Sequence, residues 1–215
     1  MENVINTRTR YLILVLLLLL LGCTPPKTKR KPLAKPLRFD VAEIRAEAKE
    51  SVKTRREAQL ASLLDQQSSE VVAILTRFST TAFLEPRALR SKKAIRLEKF
   101  FASELKSEAE KDWQTLSLGE ESSLVSRVAK NEGKISRLWI YYDDNLIPVI
   151  AAADFGLQAE YELRDGNKAT LGNNSSFVLQ PDGGGSWEIS GYQVRLELRS
   201  REKKRVWKVY GGKLN

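Results

Sequence analysis

Phe177-Val178-Leu179-Gln180-Pro181-Asp182-Gly183-Gly184-Gly185-Ser186-Trp187-Glu188-Ile189-Ser190-Gly191-Tyr192 reads as two strands and the turn that joins them. Branched and aromatic side chains on both flanks suit a pleated, half-buried surface. Pro181 fixes φ, Asp182 offers a local acceptor, and the glycines tolerate positive φ, so the centre is a hairpin turn. A phosphate loop needs a Lys-Ser/Thr step after the glycines and a strand-to-helix context, and both are missing here.

Working outward, Ile135 to Tyr142, Ile147 to Leu163, Ala169 to Leu179 and Trp187 to Leu198 are rich in branched and aromatic residues or alternate in polarity. Asp143-Asp144-Asn145 and Arg164-Asp165-Gly166-Asn167 separate the earlier ones as turns. Two adjacent acids in a turn make no metal site without further ligands, and no cofactor is expected. Upstream, the apolar period changes. Val71, Ile74, Leu75, Phe78 and Ala82 are helically spaced, with Ser68-Ser69-Glu70 as a start signal and Pro86 as a stop. Ala94, Leu97, Phe101, Leu105 and Ala109 predict a second helix from about Lys92 to Trp113. Helices followed by an antiparallel meander predict an α+β domain over residues 68–198.

Ahead of it, Val41 to Leu64 has neither Gly nor Pro and only a thin apolar stripe, which predicts a largely solvated spacer helix within residues 39–67. Thr24 to Arg38 holds four prolines, six basic residues and no acid, an extended tether suited to anionic surfaces or to simple spacing. Tyr11 to Leu21 is an unbroken apolar run, too short to span about 30 Å of hydrocarbon but right for a secretory signal.

Composition excludes a good deal. The chain has 215 residues, no histidine and one cysteine. Histidine-dependent hydrolases, imidazole acid–base chemistry and most zinc sites are thereby removed, as is an internal disulfide. The net charge of +9 invites a nucleic-acid reading. Its distribution refuses it: residues 39–198 carry 21 basic against 25 acidic groups, and the excess sits in the tether and in the tail at 199–215. With Trp207 and Tyr210 among seven basic residues, that tail reads either as a surface-binding segment or as a short final strand from Val206 to Tyr210.

Two resemblances follow from these residues. Leu20-Leu21-Gly22-Cys23 resembles the lipobox of bacterial lipoproteins. It implies a signal peptide over residues 1–22, cleavage before Cys23, and diacylation and palmitoylation of that cysteine. The product would sit on the outer face of a plasma membrane, or on an outer membrane if the cell has one. The order of elements from Ser68 to Leu198, with Phe78-Ser79-Thr80-Thr81-Ala82-Phe83 before Leu84-Glu85-Pro86 and the Asp-Gly hairpin before Trp187-Glu188-Ile189, resembles the nuclear transport factor 2-like superfamily. That resemblance implies helices packed in the concave face of a strongly bent antiparallel sheet, a cone.

For function it implies three alternatives. The first is a non-enzymatic assembly module at the cell envelope, with an envelope protein or anionic polymer as partner, or a homodimer through the sheet face. The second is a binder holding a small apolar molecule among Phe78, Phe101, Trp113, Trp139, Phe155, Trp187 and Tyr192. The third is a ketosteroid-isomerase-like enzyme with Asp154 as base and Tyr161 or Tyr192 as oxyanion donor. Alternation on a bent strand leaves the face of Asp154 open.

Overall fold

The structure, a computed structural model, describes residues 34–85, 97–114, 116–200 and 206–213. The signal segment, Cys23, most of the tether, Lys92, Ala94 and the centre of the basic tail lie outside them. The chain order is β1 (Phe39–Val41), β2 (Ile44–Glu47), α1 (Glu50–Arg55), α2 (Glu57–Ser79), a π-helical turn (Thr80–Leu84), a 3₁₀ turn (Leu97–Phe100), α3 (Lys106–Lys111) and a second 3₁₀ turn (Gly119–Leu124). Then come β3 (Val125–Tyr142), β4 (Pro148–Leu163), β5 (Lys168–Pro181), β6 (Trp187–Ser200) and β7 (Val206–Lys213).

The fold is α+β, with one curved, unclosed sheet in which β3 to β7 run antiparallel in sequence order. β1 and β2 share the edge beside β3 and run parallel to it, Phe39 opposite Gly133 and Ile44 opposite Leu138, so the sheet is mixed rather than purely antiparallel. The residues expected to form the front of a spacer helix are therefore strand. Val41 and Ile44 are β-branched, and β3 offers them an open ladder: Ala42 N–H donates to Ile135 O, and Leu138 N–H to Glu43 O.

Helix α2 exists because nothing in it interrupts the helical ladder and one stripe is apolar. Leu60, Val71, Ile74, Leu75 and Phe78 are buried along it. It also runs straight through Ser68-Ser69, read from sequence as a start. Both hydroxyls donate back to Asp65 O, at 3.0 and 2.9 Å, a satisfied alternative to capping. The second predicted helix is broken: Phe101 forms a parallel bridge with Ile189, and Ala102 N–H donates to Ile189 O at 2.8 Å. Its helically spaced Leu97, Phe101, Leu105 and Ala109 are nevertheless all buried. The tail contributes β7, the strand alternative, paired from Arg199 opposite Val206 to Tyr192 opposite Lys213.

Strand alternation gives the sheet two faces. Ala151, Ala153, Phe155, Leu157, Ala159 and Tyr161 of β4, and every second residue of β5 from Ala169 to Leu179, point into the core. The intervening residues form the outer face. Phe78 sits at the centre of the core, with the rings of Phe83, Phe100, Phe101 and Phe177 edge-on at centroid distances of 5.3–6.3 Å. Burying one such side chain contributes roughly 3 kcal/mol.

Candidate functional site

Most of the residues expected to line a ligand cone are packed on one another. Phe101 meets Tyr192 at 5.6 Å, and Phe155 stacks on Phe177 at 5.2 Å. Trp187 is buried, and its Nε1 donates to Gln67 Oε1 at 2.8 Å. Trp113 is half-buried. Trp139 stands apart: it lies on the outer face, with the Arg137 guanidinium 5.4 Å from its ring. The residues chosen from sequence thus fall on two sides of the sheet. An open depression of about 390 Å³ lies at the C-terminal end of α2, lined by Ile74, Phe100 and Trp187 but also by Arg77, Glu85 and Lys99.

Asp154 is also an outer-face residue. Its Oδ2 accepts from Arg137 Nε at 2.8 Å, and its Oδ1 accepts from Ser176 Oγ at 2.6 Å. Tyr161 and Tyr192 lie on the inner face, where each hydroxyl already donates: Tyr161 to Phe83 O at 3.0 Å and Tyr192 to Asp112 Oδ2 at 2.8 Å. Burial pushes the Tyr161 phenol well above its ordinary range. Burial, then the bond to and the charge of Asp112, does the same at Tyr192. The sheet separates the carboxylate from both phenols, so the arrangement does not assemble a base and an oxyanion donor around one substrate.

Asp143 serves a turn. Asp143 Oδ1 accepts from the backbone N–H of Asn145 and of Ile147, each at 2.8 Å, and these bonds, that of Ile147 first, hold its carboxyl below the usual range. Among the described residues, no group of three or more His, Cys, Asp or Glu is placed to hold a metal ion, and no helix is long and apolar enough to cross a membrane.

On the outer face a trough of about 830 Å³ crosses β3 to β6. Its walls are Glu132, Lys134, Arg137, Gln158, Asn174, Gln193 and Arg195, and its floor lies at Gly156 and Gly172. A Cβ on Gly172 would meet only Glu197 O at 4.0 Å, so the backbone there is open to an approaching group. At the β3–β4 end of the sheet, Tyr141, Ile147, Val149 and Ile150 are exposed.

Compared with models of known families, with curated proteins and with solved structures, the chain matches no family model, no curated protein and no solved structure.

Sequence reasoning missed the trough. The signal was present as alternation, since Glu132, Lys134, Gly156, Gln158, Gly172 and Asn174 all fall on one parity. What joins them into a site is cross-strand register, which spacing along the chain does not supply.

Proposed function

We propose that the chain is a lipid-anchored protein of the bacterial cell envelope whose domain acts as a non-enzymatic interaction module. The anchor is a diacylated Cys23, favoured by the apolar run before it and the basic, proline-rich tether after it. The finer fold description is the nuclear transport factor 2-like cone, favoured by the helix-then-meander order and by α2 packing on one face of a curved sheet. The observation that carries the module reading is the contrast between the faces. The interior that would hold a ligand is filled by aromatic rings whose polar tips at Trp187, Tyr161 and Tyr192 are satisfied within the chain, while the polar, exposed outer face is left to meet other molecules.

The anchor is tested by expressing the full chain with radiolabelled palmitate. Label on the wild type and none on Cys23→Ser is the expected outcome; equal labelling of both removes the lipoprotein reading. The module is tested by affinity capture on the intact chain in its membrane, with Asp154→Asn as a comparison. Isomerase activity lost with Asp154→Asn would overturn the non-enzymatic reading.

A further inference from the structure

The outer-face trough has an internal order. Groups that pair within the chain close its two ends along the strands. At one end Arg137 pairs with Asp154 at 2.5 Å and Ser176 Oγ donates to the same carboxylate at 2.6 Å. At the other, Lys130 pairs with Glu160 at 3.6 Å and Arg199 with Glu197 at 2.7 Å. Between these ends the exposed amides of Gln158, Asn174 and Gln193 have no hydrogen-bond partner among the described residues. Glu132 and Lys134, two positions apart on one face of β3, add one charge of each sign. Arg195 on the β6 wall has its own partner within the chain. The floor is uneven. Asn174 Oδ1 lies 3.3 Å from where a Cβ on Gly156 would be, whereas a Cβ on Gly172, opposite Gln158, would meet only Glu197 O at 4.0 Å.

We infer that this trough binds an uncharged β-1,4-linked glycan, which deepens the interaction-module reading and rests on it. An amide both donates and accepts hydrogen bonds, as a sugar hydroxyl does, so Gln158, Asn174 and Gln193 match hydroxyls in either sense. A pyranose ring carries C–H groups on its flat face and hydroxyls at its rim. The bare backbone at Gly172 takes the face, and the amides around it take the rim. Strand-to-strand steps of about 4.8 Å are close to the advance of one pyranose unit in an extended β-1,4 chain, so the span from β3 to β6 holds about three units. The volume of about 830 Å³ lies within the range of small-ligand sites.

The same features turn other occupants away. With the ion pairs closed at both ends and Glu132 offsetting Lys134, the trough has no excess charge to hold a polyanion at ordinary salt. A peptide strand has no edge to join there, because β3 to β6 each lie between two other strands of the sheet. An apolar partner finds no exposed aromatic or aliphatic side chain in the lining, since Phe155, Leu157 and Val194 point to the core.

The test is isothermal titration of the full-length chain, held in a detergent without a sugar headgroup, with cellohexaose and with chitohexaose. Binding of at least one is expected with a Kd of about 10 μM to 1 mM, altered by less than about twofold between about 50 and about 500 mM NaCl. Gly172→Val puts a branched side chain on the open floor and should weaken binding by about tenfold or more. Gln158→Ala removes a hydrogen bond and fills nothing, and should weaken it by about fivefold. Ile150→Ser, on the outer face beyond the trough, should leave the Kd within about twofold. The urea midpoint of each variant, read alongside, tells loss of fold from loss of the site. No binding of either hexasaccharide at about 5 mM overturns the inference. So does binding that neither trough variant weakens, binding that salt abolishes, or heparin bound in place of the sugars. A protein captured on this face by a chain that binds neither sugar also overturns it, while leaving the module reading standing. Isomerase activity lost with Asp154→Asn removes the module reading itself.

Discussion

The two faces of the sheet are built from the same strands and answer to different constraints. On the inner face, Phe78, Phe101, Phe155, Phe177 and Tyr192 interlock, and one displaced ring disturbs several others. On the outer face, side chains stand in rows, and Gly156 and Gly172 have no side chain at all. The inner face spends its residues on a single packed arrangement, while the outer face keeps polar groups available. A sheet of this kind tolerates change on one side only, and that asymmetry separates the supporting part of the molecule from the part that can recognise something.

The largest break in this contrast is expected from Phe78→Ala. It removes the ring at the centre of four edge-on contacts and should cost about 3–5 kcal/mol, read as a lowered urea midpoint. A loss below about 1 kcal/mol would show that the aromatic cluster is not the centre of the core. Next comes a pair of glycines. A Cβ on Gly133 would lie 2.7 Å from Cδ1 of Phe39, whose ring covers it, so Gly133→Ala should destabilise by about 1–3 kcal/mol through displacement of β1. Gly172→Ala has open space and should change stability by less than about 0.5 kcal/mol. Equal effects at the two glycines would erase the distinction between the faces.

A pH experiment sharpens the comparison further. Burial pushes the Tyr142 phenol up to about 12. The folded chain therefore holds that proton while the unfolded chain releases it above about 10. Stability from this group is complete below pH 10 and declines as pH rises from about 10 to about 12. The Tyr142 hydroxyl has no hydrogen-bond partner, so Tyr142→Phe should leave stability at pH 7 within about 1 kcal/mol of wild type and flatten the alkaline decline. An unchanged alkaline slope in that variant would assign the decline to other groups. A small effect is also expected from Asp154→Asn. Its ion pair with Arg137 is part-exposed, so the thermal midpoint should shift by no more than about 1 kcal/mol equivalent.

Much of the fold is legible in the residues, and the exceptions have physical causes. The four central strands and their turns follow from branched and aromatic runs broken by Asp, Asn and Gly. The apolar stripe from Val71 to Phe78 identifies the core face of α2. β3 begins at Val125 rather than Ile135, because Arg127, Lys130 and Lys134 are outer-face residues whose charge hides the strand when read one position at a time. Ala, Glu and Arg give the stretch that forms β2 good local helix propensity, so its sequence predicts helix. The open edge of β3 overrides that preference, and nothing near residue 40 announces an edge so far along the chain. For the site, sequence singled out Asp154, Tyr161 and Tyr192 as chemically able residues. Asp154 and Tyr161 are seven positions apart on one alternating strand and so take opposite faces, but Tyr192 joins Tyr161 only through the irregularity between Ile189 and Gly191, which spacing along the chain does not announce.

The parallel pairing of β1 and β2 with β3 also sets an order of events. Asn131 Nδ2 donates to Lys35 O across 96 positions of chain, and Phe39 must wait for Gly133. Contacts of that span close late, after the local hairpins from β3 to β6 have formed. While the polypeptide is being made, residues 39–47 have no ladder to join until β3 has emerged in full. Residues 39–47 thus join the sheet only once β3 is in place. Were the chain anchored at Cys23 as proposed, the strands nearest the anchor would be the ones that wait for the sheet.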